Sequence, residues 1–172
     1  MTLAQRIARR RVMLGFVAAG VVLWLAEPTW WSVAAGAAIA AAGEAIRFWA
    51  AGHLEKSREV TRSGPYRFTR HPLYVGSSVI GVGIAVASAS LGVAVLIALY
   101  LGSTLTAAIR AEEAHLREKF AGEYDAYAAR RAPPMERSFS LARALANREH
   151  HAIAGLVGGL VLLALKAGLS LR

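Results

Sequence analysis

The uncharged apolar runs of this chain constrain its fold more than any other feature. A helix needs about 20 mainly apolar residues to cross the hydrocarbon core of a bilayer. Of the 172 residues 56% are apolar and 18% charged, whereas soluble domains average about 45–50% and about 25%. We therefore expect an all-α, polytopic membrane bundle forming a single domain over residues 1–172. About five transmembrane helices are predicted, at residues 12–26, 31–52, 73–88, 91–109 and 152–169.

The first run also resembles a secretory signal, because Arg9–Arg11 precede an apolar stretch of suitable length. Cleavage after Ala26 would require a small residue at position 24, where the sequence has Trp24. Trp30 and Trp31 follow at the position of an interfacial aromatic belt. We interpret the run as a retained membrane helix.

The basic residues are distributed unevenly among the loops. The chain has 20 Lys and Arg against 11 Asp and Glu, a net charge of +9. Most of the Lys and Arg lie before the first run, between the second and third, and between the fourth and fifth. Since cytoplasmic loops carry such residues, we predict a bacterial inner-membrane protein with a cytoplasmic N-terminus and an external C-terminus. No nucleic-acid partner is expected, and the oligomeric state stays open.

Cysteine is absent from the sequence. This excludes disulfides, thiolate metal sites and a cysteine nucleophile. We expect no metal site.

The first segment whose residues are suited to binding or catalysis covers residues 53–72. It contains a Gly64-Pro65 turn and ends with Arg70 and His71 before Pro72, which suits the first turn of a helix. The positive end of that helix, together with the two basic side chains, makes an anion site suited to a carboxylate or phosphate. The alternative is that these residues contact lipid phosphates.

The second segment covers residues 110–134 and should continue the fourth span as an amphipathic helix. Glu112 and Glu113 lie near its membrane end, where carboxylates require a cation. Either Arg110 or Arg117 could supply the charge, or the carboxylates could accept hydrogen bonds from a ligand ammonium or ribose diol. A packing stripe is predicted from Leu116, Phe120, Tyr124 and Tyr127.

Two further features lie inside the predicted spans. Glu44 and Arg47 are an intramembrane ionisable pair, which is a candidate functional site unless the two simply neutralise each other. Gly76, Gly81 and Gly83 follow no predicted strand, so they indicate close helix packing rather than a dinucleotide site.

Both segments together resemble a known family. Arg70-His71-Pro72-Leu73-Tyr74-Val75-Gly76 matches the R-H-P-x-Y-x-G signature of the isoprenylcysteine carboxyl methyltransferase family, part of the phospholipid methyltransferase-like integral membrane enzymes. Glu112-Glu113, Leu116, Phe120, Tyr124, Tyr127 and Pro133-Pro134 match the partner motif. The resemblance covers residues 51–134.

The resemblance implies transfer of a methyl group from S-adenosyl-L-methionine to a lipidic or amphiphilic acceptor, with the cofactor on the cytosolic side. By residue correspondence, it implies that the cofactor is bound by Val60, Thr61, Tyr66, Arg70, His71, Pro72, Leu73, Tyr74, Glu112 and Glu113.

The acceptor is less constrained. Eukaryotic family members place a substrate-binding arginine four residues before the first Glu of the pair; that position is Ala108 here, and the nearest arginine is Arg110. Candidate catalytic residues are therefore Arg110, Glu113 and His71. A carboxylate acceptor on an isoprenoid or prenylcysteine-like compound needs no general base, whereas an amine must first lose a proton.

The resemblance leaves three alternatives for the activity. They are phospholipid N-methylation, NADPH-dependent reduction of lipid double bonds, and a scaffold without catalytic activity. Apart from the acceptor, membrane lipids are the expected partners.

Overall fold

The computed structural model describes residues 17–169, and all its regular elements are helices. They are α1 (17–25), α2 (Trp30–Ala51), α3 (Pro72–Ser88), α4 (Leu91–Ala128), α5 (Leu141–Ala146) and α6 (Glu149–Leu169), with a 3-10 helix at Gly64–Arg67. Within this part of the chain α2, α4 and α6 are long and apolar enough to cross a membrane, and α3 is a shorter apolar helix. The expected all-α membrane bundle is confirmed.

The helix boundaries follow local sequence signals. Thr29 caps α2 through a reciprocal pair of hydrogen bonds with Ser32, whose backbone N–H donates to the Thr29 hydroxyl at 3.1 Å. Pro72 occupies the first turn of α3, and Ala89 ends that helix in the left-handed conformation with φ 49°. The predicted turn at residues 88–90 therefore joins α3 directly to α4.

The first and last predicted spans can be compared with the described helices. The predicted first span starts at residue 12, and its residues 12–16 lie outside the described chain; residues 17–25 are helical. The fifth predicted span, residues 152–169, lies within α6, which begins three residues earlier at Glu149. Arg47 of α2 pairs with the Glu149 carboxylate and stabilises it at the buried start of the helix.

α2 and α3 form the closest helix pair, and glycines set their separation. A Cβ atom on Gly43 would lie 2.7 Å from the carbonyl oxygen of Gly76, and one on Gly83 would lie 2.6 Å from the backbone nitrogen of Ala40. The backbones are thus in direct contact, which confirms the packing role predicted for Gly76 and Gly83. Gly81 instead packs against Leu101 of α4.

The segment after α4 turns back onto the end of α2. The side chain of Arg143 donates a hydrogen bond to the carbonyl oxygen of Gly52 at 2.8 Å, and Asn147 donates to those of Ala51 and Leu54, each at 2.9 Å. These contacts satisfy carbonyl groups that a helix end leaves without intrahelical partners. They also fix the loop that follows α2 against α5.

The extramembrane part of α4 carries the second motif. At about 1.5 Å per residue the 38 residues of α4 extend about 57 Å, roughly twice the bilayer core. The helical continuation predicted beyond residue 109 is therefore present. A backbone kink at Ala121, with φ 35° and ψ −123°, separates its last turns from the rest.

Candidate functional site

A cavity of about 540 Å³ lies between the loop after α2, the start of α3 and the extramembrane part of α4. Nine predicted cofactor residues line it: Val60, Thr61, Tyr66, Arg70, His71, Pro72, Leu73, Tyr74 and Glu112. Glu113, the tenth, does not line it but contacts Arg70 and His71. The two sequence segments, about 40 residues apart, are thus brought to one place.

The 3-10 helix Gly64–Arg67 supplies one wall of the cavity. Gly64 has φ 55°, and a Cβ atom there would lie 2.6 Å from the ring of His53, so the turn requires glycine on both counts. The turn directs Tyr66 into the cavity, where the side chain is buried. Burial, reinforced by the nearby Glu112 carboxylate, raises the pKa of Tyr66 above its usual range, so its hydroxyl stays protonated.

Glu113 is the electrostatic centre of the contact between the two motifs. Its carboxylate lies 2.9 Å from Nη1 of Arg70, 3.1 Å from Nε2 of His71 and 3.3 Å from Nη2 of Arg117. Burial alone would raise the pKa of Glu113, but the hydrogen bond from His71 and the charge of Arg70 outweigh it and lower the pKa below its ordinary value. Glu113 is therefore an ionised anchor for both basic side chains.

The two cations proposed for the carboxylate pair are distinguished by the structure. Arg117 lies one helical turn from Glu113 and forms the ion pair. Arg110 is exposed, lies outside the cavity and forms no ion pair with any residue of the described chain. Its catalytic role stays a prediction.

Glu112 lines the cavity and is less constrained than Glu113. Its Oε2 atom is 3.9 Å from Nδ1 of His71, and the side chain is 43% exposed. The His71 ring stacks on that of Tyr74 with 5.7 Å between centroids. Glu112 thus offers carboxylate oxygens to a ligand, while His71 and Tyr74 provide a flat surface.

The predicted aromatic stripe fastens α4 to the first motif. Tyr127 donates a hydrogen bond from its hydroxyl to the carbonyl oxygen of Tyr66 at 2.8 Å, and Tyr124 is 1% exposed. Burial, with the neighbouring Tyr124, raises the pKa of Tyr127 to about 12, which keeps the donor proton in place at neutral pH. Leu116 also lines the cavity, so the stripe both packs α4 against the first motif and forms part of the cavity wall.

Sequence reasoning missed the residues that hold the loop of Val60 and Thr61. Arg137 makes two hydrogen bonds to Glu59, of 2.6 and 2.7 Å, and the Glu59 carboxylate accepts a third from Thr61 at 3.3 Å. Arg137 lies 78 positions after Glu59, and no local pattern links the two. The segment after α4 therefore contributes to the site although it lies outside it.

The intramembrane pair predicted at Glu44 and Arg47 has a third member. Arg47 Nε is 2.7 Å from Oε1 of Glu149 and 3.6 Å from Oε2 of Glu44, and its Nη1 donates to Ser77 at 2.6 Å. The interpretation as an isolated i, i+3 pair is therefore incomplete. Arg47 also lines the 540 Å³ cavity, which places it at the membrane side of the site.

The cavity walls combine complementary binding chemistry. The positive end of α3 and the basic side chains favour an anionic group, Glu112 accepts hydrogen bonds or a positive charge, and Tyr66 and Tyr74 offer aromatic surfaces. Within residues 17–169 there is no group of three or more His, Asp or Glu side chains arranged to hold a metal ion.

Comparison with protein families identifies the broader relationship. The model of the phospholipid methyltransferase family matches residues 32–123, a segment that begins in α2, includes the first motif segment and ends within the second, two residues after the kink in α4. The chain belongs to this family. The sequence-based assignment to the membrane methyltransferases is thereby confirmed, and the chain is an integral membrane protein.

Two curated bacterial relatives match over 99 residues, 56% of this chain. One is the nickel-cobalt-cadmium resistance protein NccN of Alcaligenes xylosoxydans xylosoxydans, 38% identical over 46% of its length. The other is the cobalt-zinc-cadmium resistance protein CzcN of Cupriavidus metallidurans, 35% identical over 45% of its length. The matched part thus spans somewhat less than half of each relative. No solved structure gives a significant match.

Proposed function

We propose that this protein is an S-adenosyl-L-methionine-dependent methyltransferase that methylates a lipidic or amphiphilic acceptor at the membrane. The observation that carries the proposal is a shared wall. His71 and Tyr74 line both the 540 Å³ cavity and an apolar groove of about 1030 Å³ between α3 and α4. A polar cofactor on one side and a membrane-embedded acceptor on the other would therefore meet at these two residues.

The cavity suits the cofactor by chemistry and size. Its volume of about 540 Å³ lies within the range of roughly 300–1,000 Å³ usual for cofactor sites. The α3 N-terminus and Arg70 would hold the cofactor carboxylate, Glu112 the ammonium or ribose hydroxyls, and Tyr66 and Tyr74 the adenine. When bound, the cofactor supplies an activated methyl group on a sulfonium.

The protein's contribution is positioning and exclusion of water. Glu113 fixes Arg70 and His71, and Tyr127 fixes the backbone at Tyr66. The groove is lined by apolar side chains such as Val75 and Leu105, which would keep water from the reacting atoms. Methyl transfer requires alignment of donor and acceptor more than proton transfer, and this arrangement provides it.

The acceptor remains a choice between two headgroups. A carboxylate on an isoprenoid or prenylcysteine-like compound is the favoured acceptor, and it needs no base. The family description names phospholipids, and the alternative acceptor is a phospholipid amine, whose proton would pass to His71, which lies 3.1 Å from Glu113 and 3.9 Å from Glu112. Either acceptor would enter the α3–α4 groove laterally from the bilayer.

The orientation follows from the same arrangement. The cavity lies beside the loops rich in Lys and Arg, so we place it, and the N-terminus, on the cytoplasmic side, with the C-terminus outside. Both curated relatives are bacterial, which supports a bacterial inner membrane. Membrane lipids and an amphiphilic acceptor are the partners proposed.

Binding of the demethylated cofactor tests the proposal directly. Purified protein in nanodiscs should bind S-adenosylhomocysteine by calorimetry, and Glu112→Gln and His71→Ala should each weaken binding at least tenfold. His150→Ala, at an exposed position on α6, is the matched control. Folded wild-type protein that binds no S-adenosylhomocysteine would overturn the proposal.

Parallel thermal unfolding with NADPH separates the reductase alternative. A ligand present at 100 times its Kd stabilises a protein by about 2.7 kcal/mol. We expect stabilisation by S-adenosylhomocysteine and none by NADPH. Lipid mass spectrometry with and without the gene would then identify the acceptor, as the lipid class that gains one methyl group.

A further inference from the structure

A second cavity, of about 560 Å³, lies inside the helix bundle and is bounded by α1, α2, α3, α4 and α6. We name it the central cavity. Most of its wall is apolar, with Ile80, Leu96 and Leu163 among the lining side chains. Glu44 and Arg47 make one end of it polar. An apolar cavity of this size with polar groups gathered at one end is typical of a ligand site.

The polar end carries an unbalanced set of charges. Two carboxylates, Glu44 and Glu149, face one guanidinium, that of Arg47. Glu44 is 8% exposed and Glu149 is 3% exposed. Buried charges in a membrane bundle require partners, and Arg47 makes its short contact of 2.7 Å with Glu149. Among the residues that the structure describes, the cluster is therefore one positive charge, or one proton, short of neutrality.

Glu44 is the carboxyl group that lies farther from Arg47, at 3.6 Å. Both of its carboxylate oxygens are buried, and no group within residues 17–169 donates a hydrogen bond to either. His151 lines the same cavity but makes no hydrogen bond to Glu44. Glu44 therefore presents two carboxyl oxygens to the polar end of an otherwise apolar space.

We propose that the central cavity binds an amphiphile with a primary ammonium head, held by Glu44, and with its hydrocarbon tail between the helices. An ammonium carries the missing positive charge and three N–H donors, which match two carboxylate oxygens. The tail packs against apolar side chains that include Ile84 and Leu156. This proposal does not depend on methyl transfer.

The central cavity is separate from the candidate cofactor cavity. Arg47 lines both and forms the wall between them. Its guanidinium is held by Glu149 and Ser77, on α6 and α3. A ligand bound to Glu44 therefore stays on its own side of this wall, and its effect on the cofactor cavity would pass through Arg47.

A proton shared by Glu44 and Glu149 is the competing way to neutralise the cluster, since the two carboxyl groups are neighbours. In that case Glu44 needs no ligand. The two explanations differ in their response to head charge, because only the proposed site distinguishes an ammonium amphiphile from an alcohol of equal chain length.

The experiment uses the full chain in phosphatidylcholine nanodiscs, which contain no primary amine. Dodecylammonium, dodecanol and dodecanoate are added separately, and bound ligand is measured by native mass spectrometry. We expect at least tenfold more bound dodecylammonium than dodecanol or dodecanoate. Glu44→Gln should lose this preference while Arg47, Glu149 and Ser77 remain paired.

A cavity-filling variant covers the case in which Glu44→Gln fails to fold. A Cβ atom on Gly159, which lines the central cavity, meets nothing within 4 Å, so Gly159→Leu fills the space without touching the ion cluster. Gly158→Leu on the same helix is the matched control, since a Cβ atom there is equally free and Gly158 lines neither the central cavity nor the α3–α4 groove. Loss of dodecylammonium binding only in Gly159→Leu supports the site.

Two results would overturn the proposal. The first is equal binding of dodecylammonium and dodecanol by the wild type. The second is wild-type binding of dodecylammonium by folded Glu44→Gln or Gly159→Leu protein. Either would show that Glu44 and the central cavity do not hold an ammonium head.

Discussion

Nε2 of His71 lies 3.1 Å from Oε1 of Glu113, and this contact joins the start of α3 to the extramembrane part of α4. The same Glu113 oxygen lies 2.9 Å from Nη1 of Arg70. One carboxylate therefore sets the positions of two neighbouring basic side chains that line the candidate cofactor cavity. The same side chain joins the two sequence motifs, together with the hydrogen bond from Tyr127 to Tyr66.

We predict that Glu113→Gln weakens S-adenosylhomocysteine binding about tenfold. The change keeps the side-chain volume but removes a charge that accepts hydrogen bonds from His71 and Arg117, and hydrogen bonds to charged groups contribute about 1.5–3 kcal/mol. Calorimetry on the nanodisc protein measures the effect. Glu118→Gln, at an exposed position on the same helix, should bind like wild type. Equal affinity in the two variants would contradict the anchoring role.

Arg137 and Glu59 should behave as one unit. Their two hydrogen bonds, of 2.6 and 2.7 Å, hold the loop that carries Val60 and Thr61. We expect Arg137→Gln and Glu59→Gln each to weaken cofactor binding severalfold. The double variant should be no weaker than either single variant, which corresponds to a coupling energy of about 1–2 kcal/mol.

The matched control for this cycle is Arg131→Gln, an exposed arginine in the same segment. It should leave cofactor binding unchanged. Strictly additive losses in the double variant would show that Arg137 and Glu59 act separately.

His53 should make the stability of the protein depend on pH. It is 5% exposed and its Nδ1 lies 3.1 Å from the hydroxyl of Ser63. Burial, together with the charges of Arg143 and Arg137, lowers the pKa of His53 below 6.5. The unfolded chain thus binds a proton at His53 more readily than the folded one. The contribution of His53 to the free energy of unfolding is therefore fully present above pH 6.5 and is lost as the pH drops towards the folded pKa.

Thermal unfolding of the apo protein between pH 5 and pH 8 measures this dependence. We expect His53→Gln to flatten the part of the profile below pH 6.5, because the titrating group is gone. His150→Gln, at an exposed position, should retain the wild-type profile. A profile unchanged by His53→Gln would assign the pH dependence to other groups.

The sequence was most informative where a signal is local. Pro72, Ala89 and the alternation of apolar runs with basic loops predicted the helices and the α3–α4 turn, because caps, turns and apolar length act over a few residues. The candidate site residues were found through two short motifs, and the structure places nine of the ten predicted cofactor residues around one cavity.

Contacts between distant parts of the chain were not predictable. Glu149 lies 102 positions from Arg47, and Arg137 lies 78 positions from Glu59. Nothing in the neighbourhood of either arginine indicates its partner, since a charged residue near a membrane end satisfies the local pattern without one.

The glycine contact between α2 and α3 gives the last prediction. A Cβ atom on Gly43 would lie 2.7 Å from the Gly76 carbonyl oxygen and 2.7 Å from the Ile80 backbone nitrogen. Backbone atoms cannot turn aside as a flexible side chain does, so Gly43→Ala must separate the helices. We expect the free energy of unfolding to fall by about 1–3 kcal/mol.

Gly102→Ala on α4 separates this steric effect from helix propensity. A Cβ atom at Gly102 meets nothing within 4 Å, and alanine favours a helix over glycine by about 1 kcal/mol, so this variant should be as stable as wild type or more so. Thermal unfolding of both variants gives the comparison.

Arg47 lies one turn after Gly43, and separation of α2 from α3 would also lengthen its 2.6 Å hydrogen bond to Ser77. Gly43→Ala should therefore weaken dodecylammonium binding as well, and a Gly43→Ala protein as stable as Gly102→Ala would show that the two helices are not held at backbone contact.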